Sequence, residues 1–137
     1  MVVDTSAAMA ILQREPEAEA FARAIEAAPT RLISAVSVLE AGMLVEARKR
    51  EAGAVELDSF LLRAQLDVVP FDAEQAQVAR LAFRRFGKGL HPAGLDFGDC
   101  AAYALASTRG EPLLFKGDGL PQTDVLVGLA TTGRPGR

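Results

Sequence analysis

The chain has 137 residues, the usual size of one domain with one hydrophobic core, and half of them are hydrophobic with a mean hydropathy of +0.16, which excludes a disordered body. Eighteen acids against fifteen bases leave a net charge of −3, so tight wrapping of nucleic acid by net charge alone is excluded and any such partner must meet a local basic patch. One cysteine, Cys100, and one histidine, His91, permit neither an intramolecular disulfide nor a zinc-ligand spacing, so a metal here would be held by oxygen.

Val2-Val3 reads as the end of a short buried strand, and Ser6 as the cap of a helix from Ala7 to Gln13. Pro16 suits the first turn of a second helix, on which Phe21, Ala22, Ile25 and Ala28 recur at helical spacing before Pro29 ends it. Arg31 to Ser34 reads as a second strand. Ser37-Val38-Leu39-Glu40 has the S-x-x-E form of a capping box opening a long helix toward Arg50, which Gly53 is expected to break before a further helical run, Val55 to Ala64. A third strand, Leu66 to Val69, precedes a helix opened by Asp72 with Gln75 and ending near Phe86.

The breaker-rich stretch from Gly87 to Gly94 must be a loop delivering the chain to Asp96. A small-residue helix, Ala101 to Ser107, led by Asp96-Phe97-Gly98-Asp99, runs to a stop at Gly110. The strand Leu113 to Phe115, the loop Lys116 to Gly119 and an edge strand over Val125 to Val127 complete the expected elements. Residues 1–130 are read as one domain and Thr131 to Arg137 as a frayed tail. Asp4 interrupts the apolar start, so no signal peptide is expected; the longest uncharged apolar stretch, Leu32 to Leu39, falls far short of the roughly 20 residues that span a bilayer. A soluble, cytoplasmic protein with no membrane partner is the expectation.

Short apolar strands alternating with helices specify an α/β fold with a mostly parallel sheet covered on both faces, which binds ligands at the carboxyl ends of its strands. That rule brings four distant acids to one rim: Asp4 after the first strand, Glu40 in the first turn after the second, Asp99 at a helix start, and Asp118 after the last long strand. Clustered carboxylates repel unless a cation neutralises them, and Mg²⁺ or Mn²⁺ prefers oxygen ligands. Such ions acidify water and stabilise charge on a phosphoryl oxygen, so the matching chemistry is metal-dependent phosphodiester hydrolysis. Plainer roles stand beside these: Glu40 as a capping-box carboxylate, Asp96 as an N-cap, Asp118 as a turn residue. An ionisable group directly after a buried strand, as at Asp4, is costly unless it serves something.

Val2-Val3-Asp4-Thr5-Ser6-Ala7, then Ser34 to Glu40, His91 to Ala106, and Leu113 to Asp118 with Thr123-Asp124 follow one another in a specific order. On these segments, covering Val2 to about Val125, the chain resembles the PIN-domain ribonucleases, and within them the VapC toxins of type II (VapBC) toxin–antitoxin pairs. The resemblance implies a three-layer α/β fold, with a mostly parallel sheet of four or five short strands and helices on both faces. It also implies Mg²⁺ or Mn²⁺ held by acids, endonucleolytic cleavage of RNA (commonly transfer or ribosomal RNA), a homodimer, and a VapB-type antitoxin that covers the site.

Asp4, Glu40 and Asp99 match the family's catalytic and metal-holding acids. Relatives usually read Gly-Asp-Asp-Phe where this chain has Gly117-Asp118-Gly119-Leu120, so either Asp118 supplies a fourth carboxylate or the site works with three. Thr5 and Ser6 resemble a hydroxyl pair able to orient water, with capping the main role of Ser6. Arg84, Arg85, Lys88 and Lys116 are the expected RNA phosphate contacts, and the helices Pro16 to Ala28 and Val55 to Ala64 the expected partner faces. Two other classes stay open: an inactive PIN-like interaction module whose acids bind a partner's arginine, and a phosphoacceptor receiver, for which Asp72 is the only acceptor candidate.

Overall fold

The computed structural model describes residues 1–129; the expected domain end at 130 and tail over 131–137 lie outside them. Its elements in chain order are β1 (Val2–Val3), α1 (Thr5–Leu12), α2 (Ala18–Ala27), β2 (Leu32–Ser34), α3 (Ala35–Arg63), β3 (Asp67–Val69), α4 (Ala73–Phe86), α5 (Phe97–Arg109) and β4 (Leu113–Leu114), followed by a 3₁₀ turn over Leu120–Gln122. All strand pairs are parallel and the order across the sheet is β3-β2-β1-β4. Val2 sits opposite both Leu32 and Leu113. The chain steps outward from β1 through β2 to β3, then returns to place β4 on the other side of β1. The order therefore reverses between β1 and β4, and ligands in such sheets bind beyond the carboxyl ends of the strands at that reversal.

Strand side chains alternate between faces, and here both faces are buried. Val2, Leu32 and Leu113 join Ala82, Phe86, Leu95, Tyr103 and Leu105 in one core against α4 and α5. Val3, Ile33 and Leu114 join Ala7, Ala8, Phe21, Ile25, Leu57 and Phe60 in the other, against α1, α2 and α3. The result is the expected three-layer α/β arrangement. The segment expected as a fifth strand contributes one parallel bridge, Leu113 to Val127, with Leu113 N–H donating to Leu126 O and Gly128 N–H to Leu113 O, each at 2.8 Å.

Local structure differs from the sequence expectations in three places that matter for the site. The cap of α1 is Asp4, whose carboxylate accepts from Ser6 N–H at 3.0 Å, because β1 ends one residue before the helix starts and leaves Asp4 extended. The cap of α3 is Ser34, accepting from Val36 N–H at 3.1 Å, because β2 runs directly into the helix. Ser37 is therefore an interior, fully buried position, and Glu40 stands in the second turn with no capping box. The break in α3 falls at Arg50, with φ 53 and ψ −136, three residues before Gly53. Gly53 is instead where the two arms of the bend touch: a Cβ there would lie 2.8 Å from the Val45 carbonyl carbon.

Candidate active site

Asp4 is buried at the carboxyl end of β1. Its Oδ2 accepts from the Ser6 amide at 3.0 Å and from the Ser6 hydroxyl at 2.5 Å, while Oδ1 is buried without any partner among the described residues. Having donated its proton to Asp4, Ser6 Oγ accepts from Lys116 N–H at 2.8 Å, so one hydroxyl ties the end of β1 to the chain leaving β4. Thr5 Oγ1 and Ser37 Oγ are likewise buried and unpartnered.

Asp96 and Asp99 open α5 as a reciprocal cap: Asp96 Oδ1 accepts from Asp99 N–H at 2.9 Å and Asp99 Oδ2 from Asp96 N–H at 3.1 Å. The exposed Asp96 is therefore the cap that the spacing indicates, and it holds Asp99 half-buried on the first turn. Glu40 reaches the same turn from α3. A Cβ on Gly98 would overlap its carboxylate, and that carboxylate has no hydrogen bond or ion pair among the described residues.

These acids feel one another. Burial pushes Asp4 up to about 6, the charges of Glu40 and Asp96 adding to the rise and the Ser6 hydrogen bonds opposing it. Burial also raises Asp99, to about 7, with the Asp4 charge the next cause and Asp96 contributing. Charge coupling joins Asp4 to Glu40 and Asp96, and Asp99 to Asp4 and Asp96, but among the described residues no three His, Cys, Asp or Glu side chains are gathered into a ready metal cage. An unpartnered buried carboxylate oxygen on Asp4, an unpaired carboxylate on Glu40 and an all-oxygen donor set nevertheless fit a hard divalent cation.

Asp118 lies on the exposed turn after β4, where its backbone carbonyl accepts from Gln122 Nε2 at 3.1 Å. Lys116 is not a loose cation at the rim: its Nζ is 2.6 Å from Glu15 Oε1 and 3.3 Å from Glu17 Oε1. Arg85 pairs with Asp124 at 3.5 Å and lies 4.7 Å over the Phe86 ring, and Asp124 also accepts from Tyr103 OH at 2.5 Å. Arg84 and Lys88 are exposed and in no ion pair among the described residues. His91 holds its own loop, Nδ1 accepting from Ala93 N–H at 2.9 Å, with its ring edge-on to Phe86. Asp72 caps α4 rather than ending a middle strand, which removes the receiver's acceptor.

The sequence assigns no role to Gly98, and it does not show the Ser34 cap, the Glu15 and Glu17 partners of Lys116, or the pairing of Asp124 with Tyr103 and Arg85. The spacing of Asp96 and Asp99 pointed to the first turn of α5, and Gly98 between them was the only available signal for the first of these.

Residues 1–126 match the family model described as PIN domain. Ribonuclease VapC30 of Mycobacterium tuberculosis is 51% identical over 125 residues, which cover 91% of this chain and 95% of that protein. Ribonuclease VapC of Mycolicibacterium smegmatis is 52% identical over 125 residues, covering 91% and 97%. Two solved structures share the fold. VapC20 of Mycobacterium tuberculosis, a sarcin-ricin loop cleaving toxin, superposes with a TM-score of 0.71 at 20% identity over 93% of this chain and 97% of that one. VapBC2 of Rickettsia felis, bound to a DNA fragment from its promoter, gives 0.70 at 19% identity over 92% and 94%.

Proposed function

The chain belongs to the PIN-domain family and is a ribonuclease of the VapC toxin kind, and from that premise we propose that it hydrolyses RNA phosphodiester bonds at the Asp4–Asp99 rim with Mg²⁺ or Mn²⁺ bound there. The observation that carries the site is the buried Asp4 carboxylate with one oxygen unpartnered, raised by its own burial and by neighbouring acids. Asp4, Asp99 and Glu40 hold the ion, and Asp96 fixes Asp99. When bound, the ion supplies the positive charge that offsets developing negative charge on the phosphoryl group and acidifies water. Ser6 keeps Asp4 Oδ2 occupied and oriented, and Oδ1, without a partner among the described residues, would be free to help hold the ion. Asp118 contributes from its turn as a weaker fourth acid. Arg84 and Lys88 meet RNA phosphates, while Arg85 and Lys116 reach them by leaving Asp124 and Glu15.

A VapB-like antitoxin is the protein partner. A cleft of about 570 Å³ runs between α2 and the second arm of α3, lined by Ala22, Ile25 and Phe60 together with Glu26, Arg31 and Arg63, and offers a mixed apolar and charged seat on the two helices the sequence singles out. Leu39 and Met43 on α3 and Phe97 at the head of α5 are exposed apolar side chains that a second copy covers in a homodimer. No helix among the described residues is long and apolar enough to cross a membrane; our reading of an RNA substrate has the protein act in the cytoplasm.

The test is cleavage of total cellular RNA by protein freed of co-expressed partner, with Mg²⁺, Mn²⁺ or EDTA, beside Asp99→Asn. Discrete fragments that need the metal and vanish in the variant are expected. Equal results from both proteins, with the metal site filled, would favour the inactive interaction module instead.

A further inference from the structure

We propose that Gly98 is a positioning residue for the acidic site: its missing side chain gives the Glu40 carboxylate a seat against the first turn of α5, beside Asp99. A Cβ at Gly98 would lie 2.6 Å from Glu40 Oε2 and 2.8 Å from Cδ, distances at which one group must move. Gly98 is buried, in the second helical position of α5, and its φ is not in the left-handed region. The backbone therefore has no need of glycine there, and glycine in a helix is less favourable than alanine.

The local sequence thus gives up helix propensity at a place where a side chain would strike a carboxylate from another element. What the added atom would meet is the tip of a flexible side chain, in contrast to Gly53, where it would meet backbone. A methyl group at residue 98 therefore displaces Glu40 and leaves α5 intact. Glu40 has no hydrogen bond or ion pair to restore its position among the described residues, so the wall of α5 and the partial positive charge of that helix start are what locate it.

The consequence for metal binding rests on the divalent-ion reading above; the steric coupling does not. Gly98→Ala is made in the native chain and in Glu40→Ala, and thermal melts without divalent ions are compared with calorimetric titrations of Mn²⁺. In the Glu40→Ala background Gly98→Ala is expected to raise Tm by about 3 °C, as a helix gaining an alanine does, and in the native background that gain shrinks or reverses. Mn²⁺ affinity falls about tenfold on Gly98→Ala when Glu40 is present and shows no further loss when it is absent. Combining Gly98→Ala with Glu40→Asp, whose shorter side chain clears the methyl group, regains part of the lost affinity. Equal Tm changes in both backgrounds would overturn the proposal. If the native chain takes up no Mn²⁺, the metal reading fails by itself and the melts still decide the role of Gly98.

Discussion

The acidic rim and the bend of α3 both break a local rule, and they break it in different ways. At the rim the backbone is ordinary, every cap is made, and the cost is electrostatic: Asp4 is 2% exposed, one of its oxygens has no partner, and its neighbours are other acids. At the bend the electrostatics are ordinary, with Lys49 paired to Glu56 across it, and the cost is conformational: Arg50 stands where glycine is at ease. The bend's cost is offset by what it closes, since the two arms meet at Gly53 and bury Val45, Leu57 and Phe60. The rim's cost has no such return among the described residues. On the proposed reading a divalent cation would offset it, and this difference would separate a site from a structural compromise.

Four tests sharpen the contrast, beginning with the largest effect. Asp4→Asn or Asp99→Asn removes a carboxylate from the proposed metal site and should lower RNA cleavage by about a hundredfold or more while the chain stays folded by circular dichroism. Gly53→Ala at the bend should do the reverse, because its Cβ meets Val45 backbone and has nowhere to go. Denaturant unfolding should show a loss of about 2 kcal/mol with the rim chemistry of the folded fraction intact.

Third is pH. Asp4 and Asp99 are raised from 3.8 to about 6 and about 7, so the fold favours their neutral forms. The stability this gives is full below about pH 4 and is lost as pH climbs through 6 and 7. Without divalent ions the native chain should therefore weaken from pH 4 to 8. Asp4→Asn should flatten that fall and be about 2 kcal/mol more stable than the native chain at pH 8, measured by urea unfolding across the range. Smallest is Arg50→Gly, expected to raise stability by about 1 kcal/mol in the same assay and to leave cleavage unchanged.

The same contrast explains what could be read from the sequence. Strands of two or three residues are legible because each carries at least two adjacent branched aliphatic residues, and Asp4 stands out for directly following such a run. Asp96 and Asp99 were legible as a cap because three-residue spacing is a local rule. The α3 start was misread because Ser34 and Ser37 both offer caps, and only the direct run of β2 into the helix decides between them. Glycine breaks helices, so the sequence points to Gly53 for the bend; the role of Gly53, close approach to Val45, exists only after the arms have packed. Lys116 could not be matched to Glu15, 101 residues away, by any local pattern.

The most direct test of the account is a calorimetric titration of Mn²⁺ into the native chain and into Asp99→Asn at pH 5.5 and 7.5. A saturable site is expected in the native chain that binds more tightly at pH 7.5, where the raised carboxylates have lost their protons, and that is lost in Asp99→Asn. Equal binding by the two proteins, or no binding by the native chain at either pH, would contradict it.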